Sequence, residues 1–174
     1  MKSAELLLDA FERIRESVHE VVEGLSDDAL TVRVEPDANS IAWLVWHLTR
    51  IQDDHVADAF GTEQIWTSEG FSGRFGLPFP EDATGYGHTS AQVAAVRAPG
   101  DLLLDYYDAV HARSVEHLTP LTDADLDRVV DTRWTPHVTL GVRLISVVTD
   151  DNQHAGQAAY VRGMVERAGG GTAG

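Results

Sequence analysis

The sequence predicts an all-α protein, a four-helix bundle with one long crossover between its second and third helices. Four long stretches of the 174 residues repeat apolar side chains at intervals of three and four, as a helix with one buried face requires. The connection over residues 61–88 is rich in Gly, Pro and aromatics and is long enough to cross a bundle end. The hydrophobic fraction of 43% and the charged fraction of 24% are those of a chain that buries a core.

The first helix is expected over Ser3 to Gly24, where Leu7, Phe11, Ile14, Val18, Val21 and Leu25 form the stripe and Gly24 supplies the stop. The segment SDDALTVRVEPDANS follows as a structured connection, with Ser26 as a capping residue, a short extended stretch and a proline. Asn39 or Ser40 caps the second helix, which runs to about Phe60 and turns Leu44, His47, Leu48 and Ile51 inward.

After the crossover, Thr89 and Gln92 have capping-box spacing for a short helix that Pro99 and Gly100 interrupt. The third long helix then runs from Asp101 to about Leu118, with Leu103, Tyr107, Val110 and Leu118 inward. LTDADLDRVVDTRWTPHVT echoes the LSDDALTVRVEP that follows the first helix, so that Leu121 matches Leu25. The last helix is expected from Thr139 to about Arg167, where Leu140, Leu144, Val147, Asp151, His154, Ala158, Val161 and Val165 keep nearly heptad spacing. Residues 1–168 form one expected domain, and the Gly-rich residues 169–174 a disordered tail.

Composition removes several chemistries. With no cysteine there is no disulfide, thiolate metal site or cysteine nucleophile, so any metal must be held by nitrogen and oxygen. A net charge of −15 opposes nucleic-acid backbones and anionic membranes. No stretch reaches the ~18 apolar residues of a membrane span, and acidic residues interrupt the N-terminus where a secretory signal would be apolar, so the cytoplasm is the expected location. The sequence also lacks a nucleophile elbow, a Walker loop, a dinucleotide fingerprint and an HExxH motif.

What remains is a metal-ligand pattern. Asp150 and His154 stand four residues apart, hence one above the other on one helix face. His47 occupies an inward slot flanked by Trp43 and Trp46 and is the candidate third ligand from another helix. Three nitrogen and oxygen ligands suit a divalent first-row metal and leave a coordination position open. The other use of inward histidines is a hydrogen-bonded core, and spacing alone does not separate Asp150 from Asp151 as the carboxylate. The run Asp53, Asp54 and His55 could supply an acid that orients a ligand but reads better as a solvated helix end, and His19, His111 and His117 read as surface or partly buried residues. His88 and His137 lie at loop-to-helix junctions, as reserve ligands. Arg143, two turns before Asp150, could anchor an anionic group of a reactant, but a structural salt bridge is the expected role.

With His47 in SIAWLVWHL, and PHVTLGVRL leading into DDNQHAGQ, the chain resembles the DinB superfamily of metal-binding four-helix bundles, in particular its mycothiol-dependent transferase branch. The resemblance spans nearly the whole chain. It implies a ligand set of histidine, carboxylate or histidine, and histidine, which maps onto His47, Asp150 and His154; relatives often carry glutamate where Asp150 is one methylene shorter. It also implies a divalent ion, zinc first, with nickel, manganese or iron as alternatives. Mycothiol is the implied thiol co-substrate and a small electrophile its target. Isomerases of this branch carry a further C-terminal domain, so general thiol transfer is the better-matched activity. A metal-dependent hydrolase and a non-catalytic metal-binding stress-response bundle are the competing expectations. Pairing into a homodimer through exposed helix faces is also expected, with Trp66, Phe71, Phe75 and Phe79 of the crossover covering the site mouth or a neighbouring subunit.

Overall fold

The computed structural model describes residues 2–170. Four long helices form the bundle: α1 (Ser3–Val22), α3 (Ile41–Phe60), α7 (Gly100–Leu118) and α8 (Leu140–Gly170). One-turn helix α2 (Asp27–Leu30) stands in the first connection, and α4 (Ile65–Ser68), α5 (Phe71–Phe75) and α6 (Ser90–Ala95) lie along the crossover. The apolar stripes close as spaced: Phe11, Ile14 and Val18 of α1, Leu103 and Tyr107 of α7, and Leu140, Leu144 and Val147 of α8 are fully or almost fully buried in one core. Each such large apolar side chain contributes roughly 1.5–3 kcal/mol of transfer free energy.

Helices α1 and α3 each pack on both α7 and α8, so the pairs α1/α3 and α7/α8 lie across the diagonals. Their directions follow from side-chain partners. His47 meets His154 while His55 meets Arg143, which makes α3 and α8 antiparallel. Ser3 N–H donates to Asp123 just beyond α7, and Gly100 at the start of α7 lies against Val22 at the end of α1, so those two are antiparallel as well. Arg162 reaches the carbonyls of Glu20 and Glu23, which sets α1 and α8 parallel. Helices α3 and α7 therefore run the same way, and the chain between them has to return along the bundle.

Capping chemistry fixes the boundaries. Ser40 Oγ accepts from Trp43 N–H at 3.2 Å and Gly61, at φ 65°, ends α3 in the left-handed conformation. Ser26 caps α2 through Ala29 N–H, as expected, and adds one helical turn at the head of this connection. Thr89 and Gln92 form the expected capping box. Thr139 Oγ1 accepts from Val142 N–H at 3.4 Å and starts α8 one residue later than expected. That helix continues through Gly170, two residues into the expected tail; residues 171–174 lie outside the described residues.

A small antiparallel hairpin, β1 (Val129–Asp131) with β2 (Val138–Thr139), precedes α8 and pairs Val129 with Thr139 and Asp131 with Val138. Strands this short carry no readable alternation. The hairpin sets Asp131 against Arg133 and Arg143 at 2.8 Å, the salt bridge expected of Arg143. Among the described residues no helix is long and apolar enough to cross a membrane.

Helix α3 is the exception to one-sided burial. Every residue from Ser40 to Arg50 is buried, because α7 and α8 flank the helix and the crossover wraps its outer side. The crossover aromatics pack inward to do so. Trp66, Phe71 and Phe75 gather round the buried ring of Tyr106, and Phe79 meets Trp46.

Candidate metal centre

His47, Asp150 and His154 converge between α3 and α8, with one ligand atom from each lying within 4.8 Å of the others. His154 Nε2 is 3.7 Å from an Asp150 oxygen, close to the ~3.5 Å between two donors in one tetrahedral zinc shell. The imidazole rings of His47 and His154 meet edge-on with centroids 4.8 Å apart. The trio sits in a groove rather than in the central core. The side chain of His154 is 18% exposed and that of Asp150 37%, while His47 is buried.

Both imidazoles are held in one tautomer. His47 Nδ1–H donates to the Thr84 carbonyl at 2.6 Å, and His154 Nδ1–H donates to Gln157 Oε1 at 2.9 Å. With the proton on Nδ1, each Nε2 keeps its lone pair, which is how protein ligands are prepared for a cation. One Asp150 oxygen, Oδ2, is buried with no partner among the described residues. Burial holds the His47 pKa below its usual value, followed by opposing influences from the Thr84 hydrogen bond, which raises it, and the neighbouring His154, which lowers it. A neutral imidazole is the form that ligates. Donor types, protonation and an unpartnered carboxylate oxygen together fit a divalent cation.

The walls come from the same two helices and the crossover. Trp43, one turn before His47, stacks on it at 4.6 Å and 15° and presents its ring edge-on to His154. Its Nε1–H donates to His88 Nδ1 at 3.3 Å, so His88 does reach the mouth of the site, whereas His137 lies exposed in the loop of the hairpin. Gly85 closes the roof at φ 96°, and a Cβ there would sit 2.8 Å from His47 Nδ1 and 3.0 Å from the Trp46 ring.

Asp151 takes the core position instead. It is fully buried, neither oxygen has a partner among the described residues, and burial drives its pKa well above the usual carboxylate range. The structure therefore brings Asp150, not its neighbour, to the histidines.

The expectation for Asp53 was wrong: it is 4% exposed. Its carboxylate accepts from Ile65 N–H, Trp66 N–H and Tyr106 O–H, each at 2.8 Å, while fully buried Arg50 donates to Ala83 O and Gln64 Oε1. Helix α3 thereby clamps both arms of the crossover, and Ala83 is the residue next to the carbonyl that orients His47. His111, expected at the surface or partly buried, is buried.

A family model described as Mycothiol-S-transferase matches residues 6–167. The chain belongs to this mycothiol S-transferase family. A crystal structure of a conserved protein from Enterococcus faecalis superposes with a TM-score of 0.88 at 31% identity, over 95% of this chain and 98% of that one. A DinB-like protein from Bacillus cereus shares the fold, with a TM-score of 0.58 at 20% identity over 95% and 92% of the two chains. No curated protein matches the chain. The DinB-like four-helix bundle and the membership of a mycothiol S-transferase family both stand as expected from the sequence.

Proposed function

We propose that the chain is a divalent-metal-dependent S-transferase that joins mycothiol to small electrophiles, with His47, Asp150 and His154 as the metal ligands. The observation that carries this reading is the convergence of one ligand atom each from His47, Asp150 and His154 within 4.8 Å, with both Nδ1 atoms engaged elsewhere, inside a family named for thiol transfer. Zinc suits such nitrogen and oxygen ligands best, and nickel, manganese and iron are the alternatives.

One carboxylate and two neutral imidazoles against a divalent ion leave one net positive charge, which a single thiolate neutralises. The chemistry supplied by a bound ion is the deprotonation of a coordinating thiol near neutral pH. Thr84 and Gln157 keep both Nδ1 protons in place, so that each imidazole ligates without losing a proton of its own. Trp43 and Gly85 make the wall and roof beside the ligands and limit access of water from the α3 side. In the net reaction the thiol S–H proton is released, a sulfur–carbon bond forms, and the bond from carbon to the leaving group breaks with its electron pair going to that group.

The test uses full-length protein purified without an affinity tag. Metal analysis is expected to find one divalent ion per chain, and the metal-loaded protein is expected to conjugate monochlorobimane only when mycothiol is supplied. Ester or amide hydrolysis with no need for thiol would replace the transferase reading by the hydrolase. A chain without stoichiometric metal would remove both.

A further inference from the structure

Next to the ligands, the same groove opens into a cleft of about 500 Å³ whose walls include Asn39, Gln153, Gln157 and Tyr160, over a floor of Leu44 and Val161. It is continuous with the metal centre through Gln157, whose Oε1 accepts from His154, and through Leu44, which precedes His47 by one turn of α3. The volume falls within the ~300–1,000 Å³ of small-molecule sites.

Its lining is distinctive in this chain. Charged residues make up 24% of the sequence, yet none lines the cleft. Three carboxamides do, and each offers both donors and an acceptor. Tyr160 stands 69% exposed beside them, a flat ring with a hydroxyl at its edge. An anionic or cationic ligand finds no countercharge there. A ligand with many hydroxyls, each donor and acceptor at once, and apolar C–H faces finds a partner for both.

Gly156 supplies the second observation. It lies mid-helix in α8, where glycine costs about 1 kcal/mol relative to alanine. Its backbone does not need glycine, since its φ is not positive, and a Cβ there would meet nothing within 4 Å. Neither packing nor conformation accounts for the missing side chain. It lies on the cleft wall, and the space left free belongs to the cleft.

We infer that this cleft is the subsite for an uncharged, hydroxyl-rich sugar moiety, the part of the thiol co-substrate remote from its sulfur. The inference rests on the proposed thiol transfer and adds how one thiol is chosen over smaller ones. Mycothiol has that chemistry, as an acetylcysteine joined to a glucosaminyl-inositol, so the sulfur occupies the metal end of the groove and the sugars the carboxamide end.

The experiment is calorimetric titration of metal-loaded protein with N-acetylglucosaminyl-inositol, which lacks the cysteine, keeps the sugar nitrogen as an uncharged amide and reads the cleft without the reaction. Wild type is expected to bind it, and Gly156→Leu, which fills the cleft while raising helix propensity, is expected to weaken binding at least tenfold with metal content unchanged. Asn39→Ala with Gln153→Ala, which removes two carboxamides, is expected to weaken it by about tenfold, and this variant keeps the test alive should Gly156→Leu fail to fold. Absence of binding to wild type at millimolar concentration, or equal binding by the variants, would overturn the inference. Sugar binding without thiol transfer would leave the cleft standing and remove the transferase; transfer without sugar binding would do the reverse.

Discussion

Helix α3 carries two polar clusters one turn apart, and they are built on opposite rules. At His47 the hydrogen bonds go to the far side of the ring, to Thr84, and the near side keeps a free lone pair towards Asp150 and His154. At Arg50 and Asp53 the acceptors are taken up within the cluster and by the crossover: both Asp53 oxygens accept, Tyr106 bridges the pair, and Trp66 lies under the guanidinium, whose Nη2 is left without a hydrogen-bond partner among the described residues. The first cluster is partly open and lies in a groove, while the second is sealed. The difference teaches how to separate a site from a strut when both are polar and both are buried. What matters is whether lone pairs converge with nothing to receive them.

Removing a ligand should sharpen that contrast most. His47→Ala and His154→Ala are expected to lose stoichiometric metal, a loss beyond the ~10–100-fold that outer partners cost, while circular dichroism and thermal unfolding stay near wild type. A collapse of the fold in these variants would mean that the open cluster is structural after all.

Asp53→Ala should do the opposite. It strands Arg50 in the core, and breaking a buried pair in this way costs about 3–5 kcal/mol, or roughly 10 °C in Tm for a chain of this size. The folded fraction is expected to keep its metal with less than a tenfold change. Equal damage to metal affinity would merge the two clusters into one functional unit.

Gly85→Ala tests the seam between them. Its Cβ has to displace His47 or the Trp46 ring, and the left-handed backbone adds about 1–3 kcal/mol of strain. Metal affinity should fall by about tenfold, the lower end of outer-partner effects, because the Thr84 carbonyl moves with its neighbour. An unchanged affinity would show that the roof does not orient His47.

The smallest expected effect is on acid stability. Burial is the largest influence on His55 and His111 and holds both below the usual value of 6.5. For a histidine with a depressed folded pKa, the unfolded chain takes up the proton first, so stability is lost as pH falls from 6.5 through the folded values. Metal-free wild type should therefore lose more Tm between pH 7.5 and 5.5 than the His55→Gln/His111→Gln double variant, whose overall charge changes in nearly the same way. Parallel Tm curves would refute the assignment.

Much of this was legible in the residues. The four stripes, the caps at Ser40 and Thr89, and the long crossover carry periodic or positional signals that local physics reads directly. His47, Asp150 and His154 were legible because helical spacing puts two of them on one face and an apolar stripe isolates the third. Asp150 could not be told from Asp151 by spacing, since the choice is made by a rotation of α8 that only packing sets. Asp53 was misread because a charged residue near a helix end is ordinarily solvated, and its backbone partners lie 12 and 13 residues away. Thr84 and Gly85 act through a carbonyl and a missing Cβ, neither of which has a side-chain signature. The hairpin strands are too short for periodicity.

Because α3 and α7 point the same way, the segment joining them must travel the full height of the bundle, about 30 Å for a helix the length of α3. A tight turn would have left the outer side of α3 to solvent. The topology instead obliges the chain to lay a cover along the ligand-bearing helix, so a roofed groove comes as a by-product of connectivity. Changes in that covering strap can retune what enters the groove while the four staves beneath it stay as they are.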